Sequence, residues 1–196
     1  MRNLLGGVAA LMIGAGAATA HPHMFIDTGL EVVFNVQGLA TGLRITWSYD
    51  DLSSMQLLAD LGLDMDMDGA LTEAELKQLD GFDMHWDEGI AGDTYAQVGG
   101  KVLHMSGPKD WTVAYKDTRI TSTHYRSFDA PVAVGSDLLT VQVYDETMYT
   151  AYALVYDTRF AGRSDCKAAL VMPDLDAAQA KLAAAIAALP TDVEVE

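Results

Sequence analysis

One cysteine, Cys166, stands in the whole chain. No internal disulfide can staple the fold, so packing alone must hold it. Cys166 itself reads as a small buried hydrophobe rather than a reactive thiol. Basic residues are also scarce, 12 Lys+Arg against 28 Asp+Glu, for a net charge of −16. That sign excludes nucleic acid and anionic membrane surfaces as partners, because both would repel the chain, and it suits cations. Long apolar runs are missing after the first twenty residues, so no membrane span is expected there. A nucleophile elbow, a His-Glu-x-x-His helix and a phosphate-binding loop are absent, and no carboxylates pair for acid/base work. The chain reads as a binding protein, not an enzyme.

What is present begins with an export signal. Arg2 supplies a short positive region, Leu4 to Gly16 an apolar charge-free stretch, and Ala18-Thr19-Ala20 a small-x-small cleavage site. Residues 1–20 are therefore expected to be a signal peptide. Residues 21–196 are expected to be one α+β domain, since neither a repeat nor a low-complexity linker interrupts them.

Hydrophobic spacing gives the elements. Ile26, Leu30, Val32 and Phe34 alternate within a strand over Met24 to Asn35. Leu43, Ile45 and Trp47 alternate within a second over Thr41 to Tyr49, making a hairpin around Gly38. Ser53 and Gln56 suit a capping box for a helix carrying Leu52, Met55, Leu58 and Leu61, stopped by Gly62. A second short helix follows the acidic loop, with Leu76 and Leu79 inward. Further strands are expected at Tyr95 to Val98, Val102 to Met105, Trp111 to Lys116, Arg119 to Ser127, Leu138 to Tyr144, Tyr149 to Tyr156 and Lys167 to Met172. Pro173 and Asp174 open an alanine-rich helix whose stripe of Leu175, Leu182, Ile186 and Leu189 is expected to pack on the core before Pro190 closes it. The predicted architecture is a mostly antiparallel sheet or sandwich, a helix–acidic loop–helix insertion at about 51–81, and a C-terminal helix.

The most specific motif is Asp64-Met65-Asp66-Met67-Asp68-Gly69-Ala70-Leu71-Thr72-Glu73-Ala74-Glu75. It resembles the EF-hand calcium loop at each ligand position. Asp64, Asp66 and Asp68 alternate so that their carboxylates converge. Gly69 permits the sharp turn, Ala70 offers a backbone carbonyl, Leu71 anchors the loop, Thr72 stands where a hydroxyl or water completes the shell, and Glu75 can give two oxygens. Thr72 and Glu75 also form a capping box for the outgoing helix. Three close aspartates repel one another until a dication binds, so calcium binding should couple to folding. No second loop is found: Asp80, Asp83, Asp87 and Glu88 lack the glycine and the spacing. A lone loop points to weak, structural calcium.

A second nitrogen-rich group sits at the expected mature terminus, His21-Pro22-His23. The terminal amine and two imidazoles suit zinc, nickel, cobalt or copper. Pro22 lacks an amide proton, which disfavours a chelate built on successive backbone amides. Asp27 can face the same way as His23 on an extended chain. His85, His104 and His124 show no ligand spacing and read as ordinary surface or core histidines.

Several of these residues together resemble a known group. They are the cleavage site with His21-Pro22-His23, the extended Met24-Phe25-Ile26-Asp27, Ile45-Thr46-Trp47-Ser48-Tyr49-Asp50, the acidic loop, Val143-Tyr144-Asp145-Glu146-Thr147-Met148-Tyr149, and the late Cys166 before a Pro-Asp helix start. The whole mature chain is similar to a bacterial periplasmic family of unknown function, classed with the periplasmic components of ABC-type transport systems and paired with nickel/cobalt/zinc-type inner-membrane permeases. The chain is short for a two-lobed solute receptor. The resemblance implies a periplasmic location and transition-metal handling through His21, His23 and Asp27, with Asp145 and Tyr149 as secondary sites. The competing expectation is a calcium-dependent structural or interaction domain of the cell envelope with no transition-metal role.

Overall fold

Alternating side chains at the start of the chain pair off across a hairpin, and the rest of the sheet is laid on either side of it. The computed structural model describes residues 22–87 and 90–188. Strand β1 (Met24–Phe34) runs antiparallel to β2 (Ala40–Tyr49), with Ile26 opposite Tyr49, Thr28 opposite Trp47, Leu30 opposite Ile45 and Val32 opposite Leu43. The turn is closed by Asn35, whose Oδ1 accepts from the amides of Gln37 and Leu39, both at 3.0 Å. Helix α1 (Asp51–Leu61) and helix α2 (Glu73–Gln78) follow, then β3 (Thr94–Val98), β4 (Lys101–Leu103), β5 (Lys109–Lys116), β6 (Arg119–Val132), β7 (Leu139–Val143), β8 (Thr150–Leu154), β9 (Arg159–Ala161) and helix α3 (Leu175–Ala187).

The larger sheet has the order β5-β6-β2-β1-β8, with β9 also on β1; the smaller is β4-β3-β7. Most neighbours are antiparallel. The exceptions are β8 and β9, which run parallel to β1 and share its outer edge: β8 takes Met24 to Thr28 and β9 takes Glu31 to Val33. The gap between them falls at Gly29, where a Cβ would lie 3.3 Å from the Tyr156 ring.

One face of the larger sheet is the core. Leu43, Ile45 and Ile120 are fully buried, each worth about 1.5–3 kcal/mol relative to exposure. In register with them on β6 come Ser122 and His124, opposite Trp47 and Ile45. The other face is polar: Arg44 pairs with Glu31 at 3.7 Å, and Thr46 and Thr123 hydroxyls meet at 3.4 Å. This alternation is what a sheet with one covered face requires.

Helix α1 departs from its expected form. Its N-cap is Asp50, one turn before the expected box: Asp50 Oδ1 accepts the Ser53 amide at 2.9 Å and Oδ2 the Ser53 hydroxyl at 2.8 Å. Its buried face is Ser53, Ser54 and Leu58, whereas Leu52 (67 %), Met55 (62 %) and Leu61 (44 %) are exposed. The reason lies in Ser54, whose hydroxyl accepts the Ile120 amide at 2.9 Å and docks the small-residue side of the helix onto β6. Gly62 ends the helix in the left-handed region, φ 67°, as expected. Leu79, just past α2, is fully buried.

The chain divides into two compact units, the first reaching Arg163 and the second beginning at Ser164. In the second unit Lys167 to Met172 is not a strand, contrary to expectation, since none of its residues joins a ladder. Helix α3 is capped by Asp174, whose Oδ1 accepts the Ala177 amide at 2.9 Å. Leu175, Leu182 and Ile186 of the stripe expected to pack on the core are exposed. Among the described residues no helix is long and apolar enough to cross a membrane. The segment expected to be a signal peptide, residues 1–20, and His21, Leu189 and Pro190 lie outside the described residues.

Candidate functional site

The acidic loop is shaped by its own backbone. Leaving α1 through Gly62, the chain places Asp64 (φ 50°) and Met67 (φ 53°) in the left-handed region, and Gly69 (φ 76°) turns it back toward α2. Such values suit glycine and are tolerated by aspartate; for Met67 they are a local strain. The Met67 amide donates to the Asp64 carbonyl at 3.0 Å, and the Ala70 amide to Asp68 Oδ1 at 2.8 Å. These turns bring Asp64, Asp66 and Asp68 together, with one carboxylate oxygen from each lying within 4.8 Å of the others. Asp64 Oδ1 is buried and has no hydrogen-bond donor among the described residues. An oxygen-only donor set with an orphaned carboxylate oxygen fits a hard cation.

Glu75 closes the loop at both ends. Its Oε1 accepts the Asp64 amide at 3.1 Å; its Oε2 accepts the Thr72 amide at 2.9 Å and the Thr72 hydroxyl at 2.7 Å. The capping box read from the sequence is present, with the Thr72 hydroxyl oxygen accepting the Glu75 amide. The Thr72 hydroxyl and amide lower the Glu75 carboxyl below its ordinary value. Glu75 is therefore ionised and positioned, yet its oxygens serve the loop's own donors and it stands outside the three-aspartate set. A depression in this surface is lined by Met65, Asp66, Asp68, Ala70, Leu71, Thr72 and Glu75.

The N-terminal set is arranged differently. His23 is exposed at the entrance to β1. Its amide donates to the Tyr149 carbonyl at 2.8 Å, and its ring lies 5.1 Å from that of Tyr149. Asp145 builds the turn that delivers Tyr149: its Oδ1 accepts the Thr147 amide and hydroxyl, both at 2.7 Å, and its Oδ2 the Thr150 amide at 2.9 Å. Burial acts to raise the Asp145 carboxyl, but these hydrogen bonds prevail and hold it below its ordinary value. Asp27 is engaged by Arg119, Nη1 to Oδ2 at 2.8 Å. Arg119 also donates through Nε to the Tyr49 carbonyl at 2.7 Å and through Nη2 to the Ser48 carbonyl at 2.9 Å. A shallow depression joins Phe25, Asp27, Asp50, Asp51, Leu52 and Arg119. The structure thus joins His23 to Tyr149 and Asp27 to Arg119. Nothing near Asp27 in the chain announces Arg119, which sits ninety-two residues beyond its partner.

A third polar group lies inside the core. Asp83, in the turn after α2, accepts hydrogen bonds at Oδ2 from the Tyr49 hydroxyl at 2.8 Å and from the Ser122 hydroxyl. Burial raises its carboxyl above the ordinary range. His124 is fully buried between the indoles of Trp47 and Trp86, with ring centroids 4.7 and 5.4 Å away. Burial first, then the nearby Arg126 and Arg44, push His124 down to about 3, so the ring is neutral. Neither of its nitrogens has a hydrogen-bond partner among the described residues. His124 is thus a core histidine, as read, but one the protein itself leaves unsatisfied. The other two are unremarkable: His85 Nδ1 donates to the Gly81 carbonyl at 2.8 Å, and His104 is exposed.

Residues 7–195 match the profile of a family described as "Protein of unknown function (DUF1007)". No curated protein and no solved structure matches the chain.

Proposed function

We propose, for this chain that belongs to the DUF1007 family of proteins of unknown function, that it is an exported, periplasmic metal-binding accessory protein whose acidic loop holds a structural calcium ion. The observation that carries the reading is the convergence of the Asp64, Asp66 and Asp68 carboxylates within 4.8 Å. Carboxylates so close repel one another, and a dication converts that repulsion into attraction. Ala70 would add its carbonyl and Thr72 its hydroxyl side of the loop. Glu75 would first have to trade its hydrogen bonds with Thr72 and Asp64 for the ion, which argues for weak affinity, on the order of 10⁻⁴–10⁻³ M as in extracellular modules.

The transition-metal part of the proposal rests on His21 and His23, feeding zinc, nickel, cobalt or copper to an inner-membrane permease. A specific observation favours the alternative, a calcium-dependent envelope domain. Asp27 is held by Arg119 at 2.8 Å, so it is not presented to His23 as an open ligand. Calorimetric titration of the exported, processed chain separates the two. Calcium heat that vanishes in Asp66→Asn/Asp68→Asn supports the loop. Zinc, nickel, cobalt or copper binding lost in His21→Ala/His23→Ala supports metal handling; calcium binding alone leaves the envelope domain standing. Absence of heat with calcium overturns the loop reading.

A further inference from the structure

The interior beneath Trp47 contains more hydrogen-bonding capacity than the protein uses. Thr28 and Trp47 are cross-strand partners, and Trp47 and Ser122 are partners on the next pair of strands. Ser122 donates to Asp83, and the ring of Trp47 packs on that of His124. Within this continuous group, Thr28 Oγ1, Trp47 Nε1, Asp83 Oδ1 and both nitrogens of His124 are buried without a partner among the described residues. Thr28 and His124 are 0 % exposed and Trp47 5 %. Orphaned buried polar atoms are rare in native interiors, and several of them on a run of paired and contacting residues are a sign of a bound group.

We propose that this centre is an internal binding site for a small neutral hydrogen-bonding ligand, an ordered water, bridging Trp47 Nε1 and Thr28 Oγ1 to Asp83 Oδ1 and His124. The donor set decides the class. Trp47 Nε1 can only donate, and the neutral ring of His124 keeps one nitrogen that can only accept. A ligand serving both must accept and donate, as water does and a metal ion or a simple anion does not. Charge agrees: Arg126 and Arg44 act on His124 and oppose a cation. The near-perpendicular Trp86–His124 contact, 86°, can satisfy at most one imidazole edge, through a weak N–H···π interaction. The other nitrogen still needs a partner. A water in a polar interior with two to four partners is the usual solution. It would tie the segment after α2 to the sheet at the point where Asp83 already binds Tyr49 and Ser122.

The test is water-contact NMR on the full chain with nitrogen-15 in its tryptophans, in chelator-treated buffer. The Trp47 indole proton should show a cross-peak to a long-lived water. Trp86 is the internal control and should show none, because its Nε1 donates to the Asp83 carbonyl at 2.7 Å. Thr28→Val, which keeps the shape and removes the hydroxyl, should weaken or abolish the Trp47 cross-peak while the amide spectrum stays dispersed. A high-resolution crystal structure of the same chelated protein should place density within hydrogen-bonding distance of Trp47 Nε1 and Asp83 Oδ1. The proposal is overturned if Trp47 shows no water contact, if these atoms bond directly to one another, or if the density scatters anomalously as a metal. If Thr28→Val fails to fold, the wild-type cross-peak and density decide alone. None of these readouts depends on calcium at the acidic loop.

Discussion

The acidic loop and the polar interior are both built from carboxylates and hydroxyls, yet they are assembled in opposite ways. In the loop, Asp64, Asp66 and Asp68 come together through turns within a few residues, and they stay near water. In the interior, Thr28, Trp47, Asp83, Ser122 and His124 come from four separate stretches and meet only because the sheet register and the turn after α2 place them there. A local device can be altered with local consequences. A centre assembled from distant strands carries the fold with it.

The largest break in that comparison should come from Trp47. Its ring is buried against His124, Trp86 and Tyr152, so Trp47→Ala should cost about 3–5 kcal/mol in urea unfolding. Calcium affinity measured on the folded fraction should be unchanged. A parallel loss of calcium binding in a folded Trp47→Ala protein would mean that the two regions are coupled.

Acid should separate the regions next. The folded His124 value, about 3, is far below the unfolded value of about 6.5. Below pH 6.5 the unfolded chain takes up a proton that the native ring refuses, so stability falls as pH drops toward 3. At pH 4.5 the loss is about 2–3 kcal/mol, since one unit is worth about 1.4 kcal/mol. Asp83 acts the other way: its raised value gives stability that is full below the ordinary carboxylate pKa and fades as pH rises through the native one. His124→Phe should flatten the slope between pH 6.5 and 4.5. An unchanged slope in that variant would assign the acid sensitivity elsewhere.

The loop should respond on a smaller scale and to a different variable. Asp66→Asn should weaken calcium at least tenfold, about 1.4 kcal/mol. Without calcium it should leave the unfolding midpoint unchanged or slightly raised, because one of three clustered charges is gone. A chelator-independent destabilisation would show that Asp66 holds the loop for reasons other than an ion.

The same contrast explains what could be read from the sequence. The β1–β2 hairpin, the stop at Gly62, the Thr72–Glu75 box and the three-aspartate set all depend on neighbours a few residues away, and each appears where it was expected. The parallel placement of β8 and β9 on β1 does not follow from their own residues; it depends on which strand edge is free once the antiparallel pairs have formed. Lys167 to Met172 shows the converse, an apolar run with strand character that gains no ladder. The Asp27–Arg119 pair and the orphaned His124 were invisible for the same reason, since nothing adjacent to them announces the partner or the lack of one.

Helix α1 supplies the smallest and most pointed test. Helical spacing groups Leu52 and Met55 with Leu58 as though all three were core, but Ser54 seats the helix with a hydrogen bond to the Ile120 amide and turns Met55 outward, 62 % exposed. If the hydrogen bond sets the rotation of the helix, Met55→Gln should change unfolding stability by less than about 0.5 kcal/mol, the range of ordinary surface changes. Were hydrophobic spacing the governing rule, the same substitution would bury an amide without partners and cost about 1–3 kcal/mol. The two values lie far enough apart for urea unfolding to choose between them, and the outcome decides whether a serine hydroxyl can overrule an apolar stripe in orienting a short helix.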